Sequence, residues 1–314
     1  MTDTSPSDRG AEAIEAEKAT AKARFTGAAR WVIIVGTLVA IALAVNQLFN
    51  LQLFNYVLLE GMYLYWLAGV FLSMAFVCFR VHGKSTVVPW YDWILAAAAL
   101  GICAFFALTA DESLESGWEY AAPDQAVYAS MVLYVLILEG TRRAGGFVLF
   151  LIVLIFSLYP TFASHVPDPL SGFQQSFRDV VPYFMISSEA SFGIPMRAFG
   201  NLVIGFILFG AILQFTGGGR FFNDLALAMV GRYRGGAAKV AIFASGFMGS
   251  MSGSVISNVL TTGSVSIPAM KKTGFDARYA AATEACASTG GVLMPPIMGA
   301  TAFIMASWLA MPYV

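Results

Sequence analysis

One stretch of this chain has residue types suited to ion chemistry: Gly249-Ser250-Met251-Ser252-Gly253-Ser254. Two glycines permit a turn and three serines supply hydroxyls. If the turn joins two helices, one helix ends there in unpaired carbonyls and the other begins in unpaired amides. Carbonyl and hydroxyl oxygens suit Na⁺, while a helix N-terminus suits a carboxylate. The following residues add Asn258, Thr261, Thr262, Gly263, Ser264 and Ser266, several of them on one helical face. A second polar interruption runs from Ser288-Thr289-Gly290-Gly291 to Pro295-Pro296. Proline removes a backbone donor and frees a carbonyl, so a helix breaks there. A plainer reading stands beside this one. Small and hydroxyl residues let membrane helices pack closely, and Gly249 to Gly253 has the spacing for it.

The elements that must carry these residues are membrane spans. Of 314 residues, 58% are hydrophobic and 12% charged, and the mean hydropathy is +0.71. A soluble domain carries about 25% charge. A bilayer core needs about 20 apolar helical residues to cross. The sequence offers them at 31–49, 56–79, 92–110, 126–141, 146–163 and 199–215. Residues 1–30 hold five basic and five acidic residues, which is not a secretory signal. The Ala/Glu/Lys run at 11–24 suits either a cytoplasmic helix or a solvated tail.

Loop charges orient the spans. Arg24 and Arg30, Arg80 and Lys84, Arg142 and Arg143, and Arg220, Arg232, Arg234 and Lys239 fall on alternate loops. The loop at 111–124 has five acidic residues and no basic one. This is the positive-inside pattern with a cytoplasmic N-terminus. The loop at 164–198 then lies outside. Phe173, Phe177, Val180, Val181 and Phe184 give it an amphipathic helix, either interfacial or packed on neighbouring loops. A short helix is expected at about 220–231.

Residues 240–270 lie between Lys239 and the cluster Lys271, Lys272 and Arg278. Both ends therefore face the cytoplasm, which a single span cannot achieve. A re-entrant hairpin breaking at 249–254 does so, with arms of about 24 Å. Its tip must be buried or line a watery cavity. Residues 277–311 form a discontinuous helix opposite the tip. The fold expected is all-α and polytopic, with about seven transmembrane helices plus the hairpin. Glu284 sits near the inner end of the last span. It reads as an ion or proton partner, or as a packing group paired with Lys271, Lys272 or Arg278, and the second is preferred. Glu139 is expected to pair with Arg142 or Arg143.

Soluble chemistry finds little support. A net charge of −1 gives no basic excess for nucleic acid. Cys78, Cys103 and Cys286 read as small buried hydrophobes, and His82 and His165 match no metal spacing. The run around Met251 has methionine where a nucleophile elbow needs its nucleophile. Gly217-Gly218-Gly219-Arg220 lacks the Lys-Ser/Thr of a phosphate loop. Neither an enzyme nor a cofactor is expected, and transport, if any, would draw on a gradient. A passive channel or an assembly scaffold is the competing class.

Certain motifs carry a family resemblance. They are Leu138-Glu139-Gly140-Thr141-Arg142-Arg143, Gly235-Gly236-Ala237-Ala238-Lys239-Val240 and Gly249 to Ser254. Denser still are Thr262-Gly263-Ser264 with Ile267-Pro268-Ala269-Met270-Lys271-Lys272-Thr273-Gly274, and Glu284 through Gly291 to Met294-Pro295-Pro296-Ile297-Met298-Gly299. In these the chain resembles the fused membrane component of TRAP transporters (tripartite ATP-independent periplasmic transporters), in particular the TAXI branch. The resemblance implies a division of labour. Residues 31–145 would be a four-helix domain like the small component, and 146–314 the first part of the large one. It implies Na⁺-coupled uptake of an organic acid handed over by a periplasmic binding protein, in the bacterial cytoplasmic membrane. Substrate or ion contacts are implied at Ser250, Ser252, Gly253, Ser254, Asn258, Thr261 and Thr262 on the hairpin. On the broken helix they are implied at Ser288, Thr289, Gly290, Gly291, Pro295 and Pro296. Na⁺ itself would sit at Ser252, Gly253 and Gly290. Two departures are Val292, where a polar residue is expected, and Ser307, where an acidic one is. The family's second inverted half does not follow Val314, so a truncated or split permease is expected, inactive without a partner supplying that half.

Overall fold

The computed structural model describes residues 27–52, 58–79, 88–253, 255–295, 298 and 300–312. The expected helix at 11–24, Ser254 and Pro296 lie outside these. The described residues form helices and connecting turns without a strand. Five helices are long and apolar enough to cross a membrane. The chain divides into two compact units, Met1–Met196 and Arg197–Val314.

In the first unit, α1 (Ala28–Phe49), α2 (Glu60–Cys78) and α3 (Trp90–Leu108) precede a short α4 (Ala110–Glu115). Helix α2 is buried on several sides, with Tyr63, Leu67, Phe76 and Val77 sealed from solvent. An apolar helix hidden all round is a bundle centre. Small residues bring the backbones together. A β-carbon on Gly69 would come within 2.8 Å of Cys103 Cβ, and one on Gly140 within 2.7 Å of Leu72 Cδ1. Ser73 Oγ donates to the Ala96 carbonyl (2.7 Å), which keeps its hydroxyl satisfied inside the apolar contact.

Helix α5 (Asp124–Phe162) has 39 residues, about 58 Å and so roughly two bilayer thicknesses. It is broken at Gly146, where φ 82° and ψ 174° fall in a region open only to glycine. The two segments match the expected spans 126–141 and 146–163. Arg143, just before the break, is buried. It donates to Asp92 Oδ1 (2.7 Å) and Glu139 Oε1 (2.8 Å) and lies 5.0 Å from the Phe76 ring centre. Glu139 also takes two bonds from Arg142, as its position suggested. A β-carbon on Gly146 would meet nothing within 4 Å, so only the backbone resists a side chain there. Gly146→Ala is expected to destabilise the unit by about 1–3 kcal/mol. Gly101→Ala, with equally open surroundings and helical backbone, should not. Thermal unfolding of the purified variants in detergent compares them, and equal midpoints would refute the break.

The amphipathic helix is shorter than expected. Helix α6 (Phe177–Ile186) leaves Phe173 outside it and 96% exposed. Val180, Val181 and Met185 are buried, Phe177 meets Tyr134 edge-on, and the Met185 carbonyl accepts from the Tyr65 hydroxyl. The helix packs on α2 and α5 rather than on neighbouring loops.

A short α7 (Ile194–Ala198) carries the chain from the first unit into the second and runs through a π-helical turn (Phe199–Val203) into α8 (Ile204–Phe215). Helix α9 (Gly218–Val230) starts after a left-handed Gly217. Then come α10 (Gly236–Ser252), α11 (Val255–Lys272), α12 (Ala277–Gly291) and α13 (Ala300–Trp308). Asp276 caps α12 by accepting from the Arg278 amide. Helices α10 and α11 are not among the five long apolar ones. They form a helical hairpin, and α12 packs on both. Ser245 faces Thr262, and Gly249 faces Asn258, so one arm's numbering rises as the other's falls. Lys239 and Lys271 consequently lie at the same open end. There Ala241, Met270 and Ala280 close a small apolar core.

Candidate functional site

The hairpin closes where the sequence breaks it. Helix α10 ends at Ser252, and Gly253 takes the left-handed conformation (φ 61°), its amide bonded to the Gly249 carbonyl (3.0 Å). Glycine adopts this geometry without a steric cost. A β-carbon on Gly210 of α8 would lie 3.3 Å from Ser252 Cα, so the tip is held against a neighbouring backbone. Ser250 is buried and donates to the Phe247 carbonyl (2.9 Å), which commits its hydroxyl to its own helix.

Below the tip, three helices meet at backbone distance. A β-carbon on Gly249 would come within 2.7 Å of both Asn258 Nδ2 and the Gly291 carbonyl carbon. Asn258 is fully buried, and its amide donates to the Ser245 carbonyl (2.8 Å). The plainer reading of the glycines therefore holds for Gly249, which serves as a contact surface.

One turn further from the tip lies a carboxylate. Glu284 of α12 is fully buried. Its Oε1 accepts from Ser245 Oγ of α10 (2.8 Å), from Thr262 Oγ1 of α11 and from Ser288 Oγ of its own helix (3.1 Å). Its Oε2 accepts from Ser266 Oγ of α11. Ser245 Oγ and Thr262 Oγ1 lie 2.9 Å apart, so either can donate to the other in place of its bond to Glu284. The expected pairing with Lys271, Lys272 or Arg278 is not what the structure shows. Six residues are about one and two-thirds helical turns, so Arg278 points from a different face of α12. A buried charge normally has an opposite charge or a metal beside it. Here hydroxyls take that place.

The expected site residues thus separate into groups. Asn258, Thr262, Ser288 and Gly291 come together around Ser245 and Glu284. Ser250, Ser252 and Gly253 form the tip. Thr261 faces the other way, onto an open pocket of about 740 Å³ shared with Arg220, Asn223 and Asp224. Thr289 is exposed and donates to the Ala285 carbonyl. Gly290 opens onto a largely apolar groove with Ile242, Gly246 and Tyr279, and its carbonyl accepts from the Leu293 amide (3.0 Å). Pro295 is exposed. Cys103 is buried as expected, but Cys286 is exposed.

Ser245 and Ser266 were not among the expected contacts. A signal for them exists. Glu284/Ser288, Thr262/Ser266 and Ser245/Gly249 are all four residues apart, so each helix carries a polar or glycine stripe on one face.

Residues 132–314, more than half of the chain, match the family "Tripartite ATP-independent periplasmic transporter, DctM component". Three similar proteins are named "C4-dicarboxylate TRAP transporter large permease protein DctM". That of Pseudomonas aeruginosa is 36% identical over 91 residues, covering 29% of this chain and 21% of the relative. That of Vibrio cholerae is 35% identical over 96 residues, covering 30% and 21%. That of Rhodobacter capsulatus is 34% identical over 91 residues, covering 29% and 21%. The chain spans about a fifth of the length of these curated relatives. No solved structure matches. The family match begins at 132 and the compact units meet at Met196/Arg197, on either side of the expected division at 145–146. From this match and the helical hairpin within it, the chain belongs to the DctM component family of the tripartite ATP-independent periplasmic transporters.

Proposed function

We propose that this chain works in the bacterial cytoplasmic membrane as part of the permease of a secondary transporter. It takes an organic acid from a periplasmic binding protein and moves it inward with Na⁺. The observation that carries this is the Gly253-closed hairpin packed against a helix that ends at Gly291, inside a family of transporter components. Discontinuous helices presenting ends at mid-membrane are how many secondary transporters bind ions and anionic substrates. The relatives are named for C4-dicarboxylates, and a carboxylate suits the amide end of α11. Residues 31–145 are assigned to a fused small component of the TAXI type.

The hairpin is re-entrant in this reading. Lys239 and Lys271 share its open end, and each arm has a helical length of about 25–27 Å, short of a full crossing. Counting α5 as two spans and α12 with α13 as one discontinuous span gives seven. The N-terminus is cytoplasmic by the positive-inside pattern. Na⁺ is proposed at the tip, on oxygens of Ser252 and Gly253, with Gly290, which opens onto a separate groove, as the remaining candidate. Since the Gly290 carbonyl already serves Leu293, Ser252 and Gly253 are the residues to test first.

The chain reconstituted in liposomes with its binding protein and the polypeptide supplying the second half should accumulate a labelled dicarboxylate only under an inward Na⁺ gradient. Ser252→Ala should lower initial uptake about tenfold or more, the loss of one charge-assisted contact of about 1.5–3 kcal/mol. Uptake indifferent to the Na⁺ gradient would sink the coupling. Uptake without the binding protein would sink the delivery.

A further inference from the structure

We propose that Glu284, with Ser245, Thr262, Ser266 and Ser288, is a proton-binding site that couples the protonation of α12 to the seating of the hairpin. The site is separate from the hairpin tip. Ser245 lies eight residues before Gly253, about 12 Å along the helix. Its geometry favours a proton over a metal ion, because the hydroxyl oxygens sit at hydrogen-bond distance from the carboxyl oxygens, at 2.8 Å and 3.1 Å for Ser245 and Ser288. A cation coordinated between such oxygens would have to spread them apart. A proton needs no added volume.

The chemistry of the shell is the second argument. Guanidinium or ammonium partners donate only and would hold the carboxylate in its charged form. A hydroxyl both donates and accepts, and it rotates. The four hydroxyls therefore satisfy Glu284 in either state. When ionised it accepts from all of them. When a proton from water bonds to Oε2, the new O–H donates to Ser266 Oγ. The Ser266 hydrogen then turns to the carbonyl four residues back, the usual alternative for a helical serine. No bond other than the O–H is made, and one positive charge enters.

Among the described residues, the neighbours contain nothing else that would fix the charge. From α10 the group facing Glu284 is Ser245; from α11 they are Thr262 and Ser266, with Gly263 against its Cγ; from α12 it is Ser288. Lys239, Lys271, Lys272, Asp276 and Arg278, the charged residues of these helices and their caps, make no bond to it among the described residues. Tyr279 and Cys286 are on the exposed face of α12. Ionisable residues inside membrane spans mark ion pathways and proton relays among their roles. Because the bonds run to both hairpin arms, adding the proton rearranges contacts that hold the hairpin on α12.

The consequence for transport rests on the proposed function, but proton binding does not, and the test separates them. Infrared difference spectra of the purified full chain in nanodiscs, with carbon-13-labelled glutamate, are recorded across a pH series. A carboxyl C=O band should appear as the pH falls, with the protonated ratio changing about tenfold per pH unit, as one proton requires. Ten glutamates carry the label, so the site is read in the difference between the parent and Glu284→Gln spectra: that substitution should remove one titrating component, and Cys286→Ala should remove none. Should Glu284→Gln fail to fold, Ser266→Ala decides: it must displace the pH at which the band appears. A parent-minus-Glu284→Gln difference with no titrating component overturns the proposal, as does a Ser266→Ala difference that titrates at the parent's pH. In liposomes, uptake by Glu284→Gln should lose the single-proton pH dependence of the parent. Retained dependence overturns the coupling. A parent assembled with its second half and binding protein that shows no uptake under any gradient counts against the proposed function, and the spectra still decide whether Glu284 binds a proton.

Discussion

Gly291→Ala is expected to lower the stability of the second unit by about 3 kcal/mol, the upper range for overpacking. A β-carbon there would overlap the Ser245 carbonyl oxygen and lie 3.0 Å from the carbonyl carbon and 3.1 Å from Asn258 Nδ2. These atoms are backbone or a bonded amide, so none can swing away as a long side chain would. Displacing Ser245 would also pull its hydroxyl from Glu284. The adjacent Gly290→Ala meets nothing within 4 Å. It should leave the melting temperature unchanged or raise it, since alanine gains about 0.5–1 kcal/mol over glycine in a helix. Thermal unfolding of both variants in detergent gives the comparison. Equal melting temperatures would mean that α12 does not approach α10 through Gly291.

Arg143→Met should cost the first unit about 3–5 kcal/mol, the penalty for breaking a buried ion pair from one side. Arg143 and Asp92 have 2% and 1% of their side chains exposed. Asp92 would keep its buried charge and lose its guanidinium. Glu139, with 26% of its side chain exposed, would suffer less, and Arg142 still serves it. The double variant Asp92→Leu/Arg143→Met should recover much of the loss, because buried pairs can be exchanged for apolar residues at little cost. Monodispersity on size exclusion after heating measures all three proteins. A single variant as stable as the parent would show that the pair is not buried as described.

How much of this was legible in the sequence depended on whether a feature is one-dimensional. The spans were, because length and apolarity alone define them. The break between Arg143 and Phe147 showed as two charges and two glycines between apolar runs, and it fell at Gly146. The hairpin turn showed as a Gly/Ser cluster between two basic ends, and it fell at Gly253. Helix phase was not legible. Gly290 and Gly291 read alike, yet one opens onto a groove and the other touches Ser245 and Asn258. Glu284 misled for the same reason. Counting along the chain puts Arg278 and Lys272 near it, whereas rotation about α12 turns it toward Ser245 on α10 and the hydroxyls of Thr262 and Ser266 on α11. Phe173 fitted the helical period of its loop but falls before α6 begins.

The contact between Gly249 and Gly291 also has a mechanical meaning. Side chains that interlock can change rotamer and let two helices slide. Two backbones in contact have no such slack. At that level the hairpin and the end of α12 should therefore travel together, so that a change of contacts at Glu284 tilts the hairpin about this point rather than sliding it.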